Sequence, residues 1–341
     1  MARGAEVLVA GAGALGLTTA LALADAGCRV TVCDPALMGV GASGVAAGLL
    51  APVTEAALDE EARPHFHQLL AGRDLWPGLE ARIGLVVDRT GSLAVGDGAW
   101  LAALARGMAG LGVHGALIGG ATARALTPGL SEAFDIALLC REDWRFHTGA
   151  ALVALRRAGE AAGVTFEARK VDGRKSADVL VVATGASRSG LAPELASLSA
   201  IKGHIVRVKT DLPAGAVIRA QVGYAASAGG RLAVGATMEA GVEDPAVDPA
   251  KGEPLLDLAA RLFPGLANSP YTLSAGIRAT TPDGLPMVGA STEPGVMLAA
   301  GARRNGWLLA PQVARIVTAH VTGADPGPYA PRMDPRRFSS P

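Results

Sequence analysis

The run from Glu6 to Gly16 restricts the fold of this chain more than any other segment. Glu6-Val7-Leu8-Val9-Ala10 reads as a short buried strand, and Gly11-Ala12-Gly13-Ala14-Leu15-Gly16 follows it at once. The Ala- and Leu-rich stretch from Leu15 to Ala26 is helix-forming, and Gly27 stands where a helix C-cap fits. Arg29-Val30-Thr31-Val32-Cys33-Asp34 then resumes strand chemistry and ends in a carboxylate. In such a strand–turn–helix unit Gly11 permits the tight turn, Gly13 lets a pyrophosphate approach the backbone, and Gly16 lets helix and strand pack together. The helix N-terminus offers that anion unpaired N–H groups and the positive end of its dipole. Asp34, 18 positions after Gly16, can accept hydrogen bonds from a ribose diol. A Gly-rich turn in another α/β fold accounts for the glycines alone; strand, helix and distal acid together favour a dinucleotide. The motif does not separate NAD from FAD, because both place an adenosine ribose near that acid.

Val7 to Ala24 is also an uncharged stretch of 18 residues, close to the shortest length that spans a bilayer. Gly11, Gly13 and Gly16 interrupt it, Thr18 and Thr19 add polarity, and no signal-peptide cleavage pattern follows. A strand and a buried helix explain the same letters. With 341 residues, 50% apolar and 18% charged, the chain has the material for two domains or one interrupted domain, and is no disordered tract. Its 31 basic and 31 acidic side chains give no electrostatic case for a nucleic-acid partner. Cys28, Cys33 and Cys140 form no CxxC pair, so neither a zinc cluster nor a disulfide framework is indicated. The expectation is a soluble, cytoplasmic enzyme with no membrane partner and no metal; a homo-oligomer is compatible with it.

Further along, the periodicity is informative. Asp143 to Gly163 carries Leu152, Leu155 and Ala158 at helical spacing, and Val164-Thr165-Phe166 reads as a strand. Ile201 to Val208 alternates as a half-exposed strand, and Lys251 to Leu262 turns Leu255, Leu258, Ala259 and Leu262 to one helix face. No internal repeat is visible. Gly323 to Pro341, rich in Pro and Arg, reads as an extended or frayed tail. His65 and His67, two apart on an expected helix, point to different faces; with His147 and His204 they read as structural or rim residues.

Four stretches carry a family resemblance. Met38 to Pro52 is small, flexible and nearly uncharged; Ala177 to Ala186 is a buried strand ending in Ala-Thr-Gly; Gly230 to Glu239 is a further strand. The fourth and longest runs Ala275-Gly276-Ile277-Arg278-Ala279-Thr280-Thr281-Pro282-Asp283-Gly284-Leu285-Pro286-Met287-Val288-Gly289 and is followed by Ala300 to Pro311. In this order, from residue 6 to about residue 320, the chain resembles the glycine oxidase and D-amino-acid oxidase family of flavoproteins, with glycine oxidases of the thiamine pathway nearest.

The resemblance implies an α/β fold: a Rossmann-like FAD-binding domain, with an interleaved α+β substrate domain built on an antiparallel sheet. The FAD-binding domain would comprise 1–51, 144–200 and 275–341, and the substrate domain 52–143 and 201–274. Non-covalent FAD is implied, since no cysteine matches the covalent attachment of sarcosine oxidase relatives. It would be held by Gly11, Gly13, Ala14, Gly16, Asp34, Ala42, Ser43, Ala47, Gly48, Leu49, Val171, Gly185, Gly301, Arg303, Arg304, Asn305, Gly306, Trp307 and Leu308. Arg278 falls at the family's carboxylate-binding position, where a bidentate guanidinium fixes the orientation of an amino acid. Tyr224 matches a tyrosine that can bond the same carboxylate, although Ala225-Ala226-Ser227 depart from the family run. Arg304 corresponds to an arginine beside the flavin, and Ala302 replaces a histidine common there. The implied activity is oxidation of glycine or another small amino acid or amine by hydride transfer to flavin, with O2 reduced to H2O2. A flavoprotein dehydrogenase serving a partner or quinone, and an inert flavin-fold binding protein, are the other readings.

Overall fold

The computed structural model describes residues 4–36 and 38–338. The first strand, Glu6–Ala10 (β1), runs parallel to Arg29–Cys33 (β2), and the helix between them is Ala14–Asp25 (α1). The uncharged amino-terminal stretch is therefore a strand and a helix broken at the glycines. No helix among the described residues is long and apolar enough to cross a membrane.

β1 and β2 lie in a six-stranded sheet with the order Met287–Ala290, Val296–Ala300, Val179–Val182, β1, β2, Thr165–Glu167. All its pairs are parallel except that of Met287–Ala290 with Val296–Ala300. Its strands come from the beginning, middle and end of the chain. Both faces are covered, which is why Val179–Val182 is buried at every position rather than alternating. On one face Val7 and Val9 pack with Leu17 and Leu21 of α1, and with Leu152 and Leu155 of the helix Thr148–Ala161. On the other, Leu8 and Leu180 meet Leu195 and Leu198. Each such side chain contributes roughly 1.5–3 kcal/mol on burial.

The helix Pro52–Leu58 (α2) leads away from this sheet. A second, nine-stranded sheet contains Ser199–Lys209 (β3), Gly223–Ala228 (β4), Arg231–Gly235 (β5) and Tyr271–Thr280 (β6) among its strands. It is antiparallel except where Val217–Ala220 runs parallel to Ser92–Ala94. The helix Glu253–Leu262 seals one face with the four residues expected from its periodicity. The last long helix, Gly306–Thr322 (α3), returns to the six-stranded sheet and packs along α1.

Two expectations need correction, those for β3 and for the carboxyl-terminal stretch. β3 is not half-exposed: Ala200 to Val206 are buried without a break, because the strand pairs with β5 and β6 on its two edges and has both faces covered. Beyond the expected break at residue 52, Leu69, Trp76 and Ile83 are buried in the same cluster as Val7 and Leu17. The expected break at 275 lies within β6, which pairs with β3 along its length. The carboxyl-terminal stretch is ordered as far as it is described. Ala330–Met333 is helical, Met333 is fully buried, and Arg337 donates to Asp283 and to the carbonyls of Leu285 and Pro286; residues 339–341 lie outside the described residues.

Candidate active site

The glycines after β1 do different work. Gly11 has φ +110°, and a Cβ there would run into the Ala183 carbonyl; a Cβ on Gly16 would run into the carbonyl of Gly11. Those two positions are closed by backbone. At Gly13 the nearest atom to a Cβ is the Ser43 hydroxyl, 3.1 Å away, so the space beside the backbone is otherwise open. Gly13 is also the N-cap of α1 and supplies no side-chain cap. Ser43 accepts the Ala14 N–H at 2.9 Å. At the end of β2, Asp34 accepts the Ala12 N–H on Oδ2 and the Ala36 N–H on Oδ1, both at 2.8 Å. A carboxylate so placed keeps lone pairs for a diol. An open cradle at a helix N-terminus with a fixed acid beside it suits the diphosphate and ribose of a dinucleotide such as FAD.

Ser43 joins this cradle to a cavity of about 470 Å³. Its carbonyl accepts the indole N–H of Trp307 at 2.9 Å, and Trp307 lines the cavity with Ala42, Ala47, Gly48, Leu49 and Asn305. A wall of small residues next to the cradle suits a planar ring. The other expected cofactor residues are placed differently. Gly185 follows the strand Val179–Val182 at φ +63° with open space around it, and Gly301 packs against Thr281 and Leu198. Gly306 opens α3. Val171 and Leu308 are buried in the two cores flanking the six-stranded sheet, and Arg303 turns away to ion-pair with Asp59 and Glu61.

Arg278, Tyr224 and Arg304 all line the same cavity. Arg278 stands on β6 opposite Ile201, and its guanidinium lies over Gly203 of β3, where any side chain would collide with it. Among the described residues its hydrogen bonds are long ones, to the Thr237 carbonyl at 3.4 Å and the Met238 sulfur at 3.5 Å. Among the described residues Arg278 has no ion-pair partner. Burial pulls its pKa down from the usual arginine value, with Tyr224 and Glu55 opposing and Arg304 reinforcing. Burial likewise raises the Tyr224 phenol, against the pull of Arg278, Arg219 and Arg304. The phenol therefore keeps its proton at neutral pH and remains a donor.

Glu55 and Arg219 complete the charged lining and were not picked out from the sequence. Glu55 projects from α2 and ion-pairs with Arg219 at 3.3 Å and with Arg304 at 3.0 Å. Glu55 first, against burial, and then Asp59 raise the Arg304 pKa. Both residues had a signal: Glu55 is the one charge between Ala46 and Leu58, and Arg219 the one charge in Val217-Ile218-Arg219-Ala220. Behind them Asp143 is buried, accepting from the hydroxyls of Thr54 at 2.6 Å and Ser92 at 2.9 Å and from the Val53 N–H at 3.2 Å.

The family described as FAD dependent oxidoreductase matches residues 6–320. The chain is 32% identical over 318 residues to a protein named as a thiamine biosynthesis oxidoreductase, ThiO, in Rhizobium etli; the match covers 91% of this chain and 94% of that one. It is 29% identical over 372 residues to the glycine oxidase of Geobacillus kaustophilus, covering 95% and 96% of the two chains. The solved structure of glycine oxidase from Geobacillus kaustophilus superposes with a TM-score of 0.83 at 26% identity, covering 98% of each chain.

Proposed function

We propose that this chain, which belongs to the FAD-dependent oxidoreductase family, oxidises a small monocarboxylic amino acid, glycine foremost, at its Cα–N bond. It is an FAD-dependent oxidoreductase of the glycine oxidase and ThiO type; the substrate and the electron acceptor are the inference. One observation carries it. Glu55 occupies Arg219 and Arg304, which leaves Arg278, among the described residues, as the cavity's half-buried guanidinium without a counter-ion. A substrate carboxylate supplies that charge, and the fork of the guanidinium fixes both its oxygens. The protonated Tyr224 donates to the same group. With one spare cation, a second carboxylate on the substrate would meet Glu55 rather than a partner.

Bound FAD supplies the acceptor for the hydride that leaves Cα. The protein's part is to hold the carboxylate and to exclude water, so that the amino acid presents Cα in one orientation. The reaction taken to completion is amino acid, O2 and water to oxoacid, ammonia and H2O2. The likeness to the Rhizobium etli protein supports supply of oxidised glycine to thiamine biosynthesis as its setting.

The test is peroxide formation and anaerobic flavin reduction by glycine, sarcosine, D-amino acids and L-proline in wild type, Arg278→Ala and Arg278→Lys. Arg278→Ala is expected to lose roughly 2–5 kcal/mol of transition-state binding, with Lys recovering part of it. Equal rates in all three proteins would dismiss Arg278 as the anchor. Flavin reduction without oxygen uptake would replace the oxidase by a dehydrogenase.

A further inference from the structure

His204 is the fully buried histidine of the second sheet, and it lies outside the cavity. Gly203 and Ile205 of β3 line the cavity wall, while His204 between them points to the opposite face, as strand alternation requires. There it holds both ends of the segment that crosses the edge of β3. At one end the His204 N–H donates to the Thr237 hydroxyl at 2.8 Å, and the Thr237 N–H returns a bond to the His204 carbonyl at 3.3 Å. At the other end the Asp248 N–H donates to the ring Nε2 at 3.0 Å. A backbone N–H can only donate, so Nε2 carries the lone pair and Nδ1 the proton. Nδ1 lies 3.0 Å from Glu239 Oε1, which also accepts from the Thr237 hydroxyl at 2.8 Å, and Lys251 closes on the other oxygen of Glu239 at 3.5 Å. The His204 main chain thus ties residue 237 to β3, and its ring ties 239 and 248 and stands 3.2 Å from the Thr237 hydroxyl.

The segment so fixed is the one that touches Arg278. The Thr237 carbonyl and the Met238 sulfur are the groups at Nη1 of that guanidinium. Gly203 beneath leaves it no side chain to lean on. We infer that His204 is a positioning residue for the substrate carboxylate: it sets the Thr237–Glu239 turn, and that turn aims the Arg278 fork into the cavity. This rests on Arg278 being the anchor proposed above. A misplaced turn leaves the cation present but badly aimed, so carboxylate affinity falls while the cradle for FAD, on the other sheet, is untouched.

The experiment measures the dissociation constant of acetate for the FAD-loaded protein, from the change in flavin absorbance, in wild type, His204→Leu, His204→Gln, Thr237→Val and Arg278→Ala. FAD content and melting temperature are read on the same samples. His204→Leu is expected to weaken acetate about tenfold, and His204→Gln, whose amide keeps a donor and an acceptor, to recover part of that. Thr237→Val removes one hydroxyl at nearly constant shape and keeps the question open should the leucine variant fail to fold; it is expected to weaken acetate as well. If Arg278→Ala loses acetate while Thr237→Val and every folded His204 variant bind it as wild type does, His204 is a core histidine and the inference is overturned. If Arg278→Ala itself binds acetate normally, the anchor reading fails instead.

Discussion

The glycines of the amino-terminal turn look alike in sequence and differ in what surrounds them. Gly16 is closed by the Gly11 carbonyl, whereas Gly13 faces only the Ser43 hydroxyl, the end of a side chain that can rotate. Gly16→Ala is therefore expected to destabilise the fold by roughly 1–3 kcal/mol through overpacking, whatever the cofactor state. Gly13→Val should fold and fail to retain FAD, because its methyl groups take the space of the diphosphate. Urea unfolding together with flavin content per polypeptide separates the two; a Gly13→Val protein with full FAD would remove the cradle assignment. At the proposed anchor, a candidate residue could be named from the sequence and its environment could not. Arg278 could be named from its motif, but its lack of a counter-ion depends on Glu55 and Arg219, brought from sequence positions 164 apart. No local pattern encodes that pairing.

Among the elements, α2 shows how a short helix can be held from outside itself. Its N-cap residue, Ala51, makes no side-chain cap, and the Val53 N–H is satisfied by Asp143, 90 residues away. At its other end Asp59 takes Arg303 and Arg304. Burial alone would raise the Asp59 pKa, but the two guanidiniums outweigh it and hold the carboxyl below 3.8. A depressed folded-state pKa contributes stability that is present above the unfolded value and is lost as pH falls through the folded one. Asp59→Asn is accordingly expected to cost stability at pH 7, by about 1–3 kcal/mol for a partly buried pair. That difference from wild type should shrink as pH drops below 3.8. Chemical denaturation of both proteins from pH 7 down to pH 3 measures it, and a gap that stays constant would mean that the pair does not titrate with folding. The parallel strands could be read from their unbroken apolar runs, α1 from its Ala- and Leu-rich stretch between glycines, and Glu253–Leu262 from its helical periodicity. β3 misled, because its burial is set by the strands on either side of it.

For the whole molecule, the sheet order brings the start, middle and end of the chain into one layer, and the last described residues close it. Removing residues 329–341 would strip Met333 from its buried site and break Arg337 from Asp283. A loss of at least the 1.5–3 kcal/mol expected for one large buried side chain follows, visible as a lower melting temperature in the FAD-loaded protein; an unchanged melting temperature would mean that the tail is only draped on the surface. Composition could not show this, since the proline and arginine that suggest fraying here serve as turn and clamp. The placement of Trp307 has an optical consequence. Its indole bonds the Ser43 carbonyl, stands edge-on to Phe146 at 5.1 Å between ring centroids, and with Trp100 lines the cavity. Half of the chain's four tryptophans therefore emit beside the proposed site of a yellow chromophore. Ultraviolet-excited fluorescence of the apoprotein should dim as FAD is titrated in, so that occupancy can be followed through the light the chain itself emits, without substrate, turnover or a label.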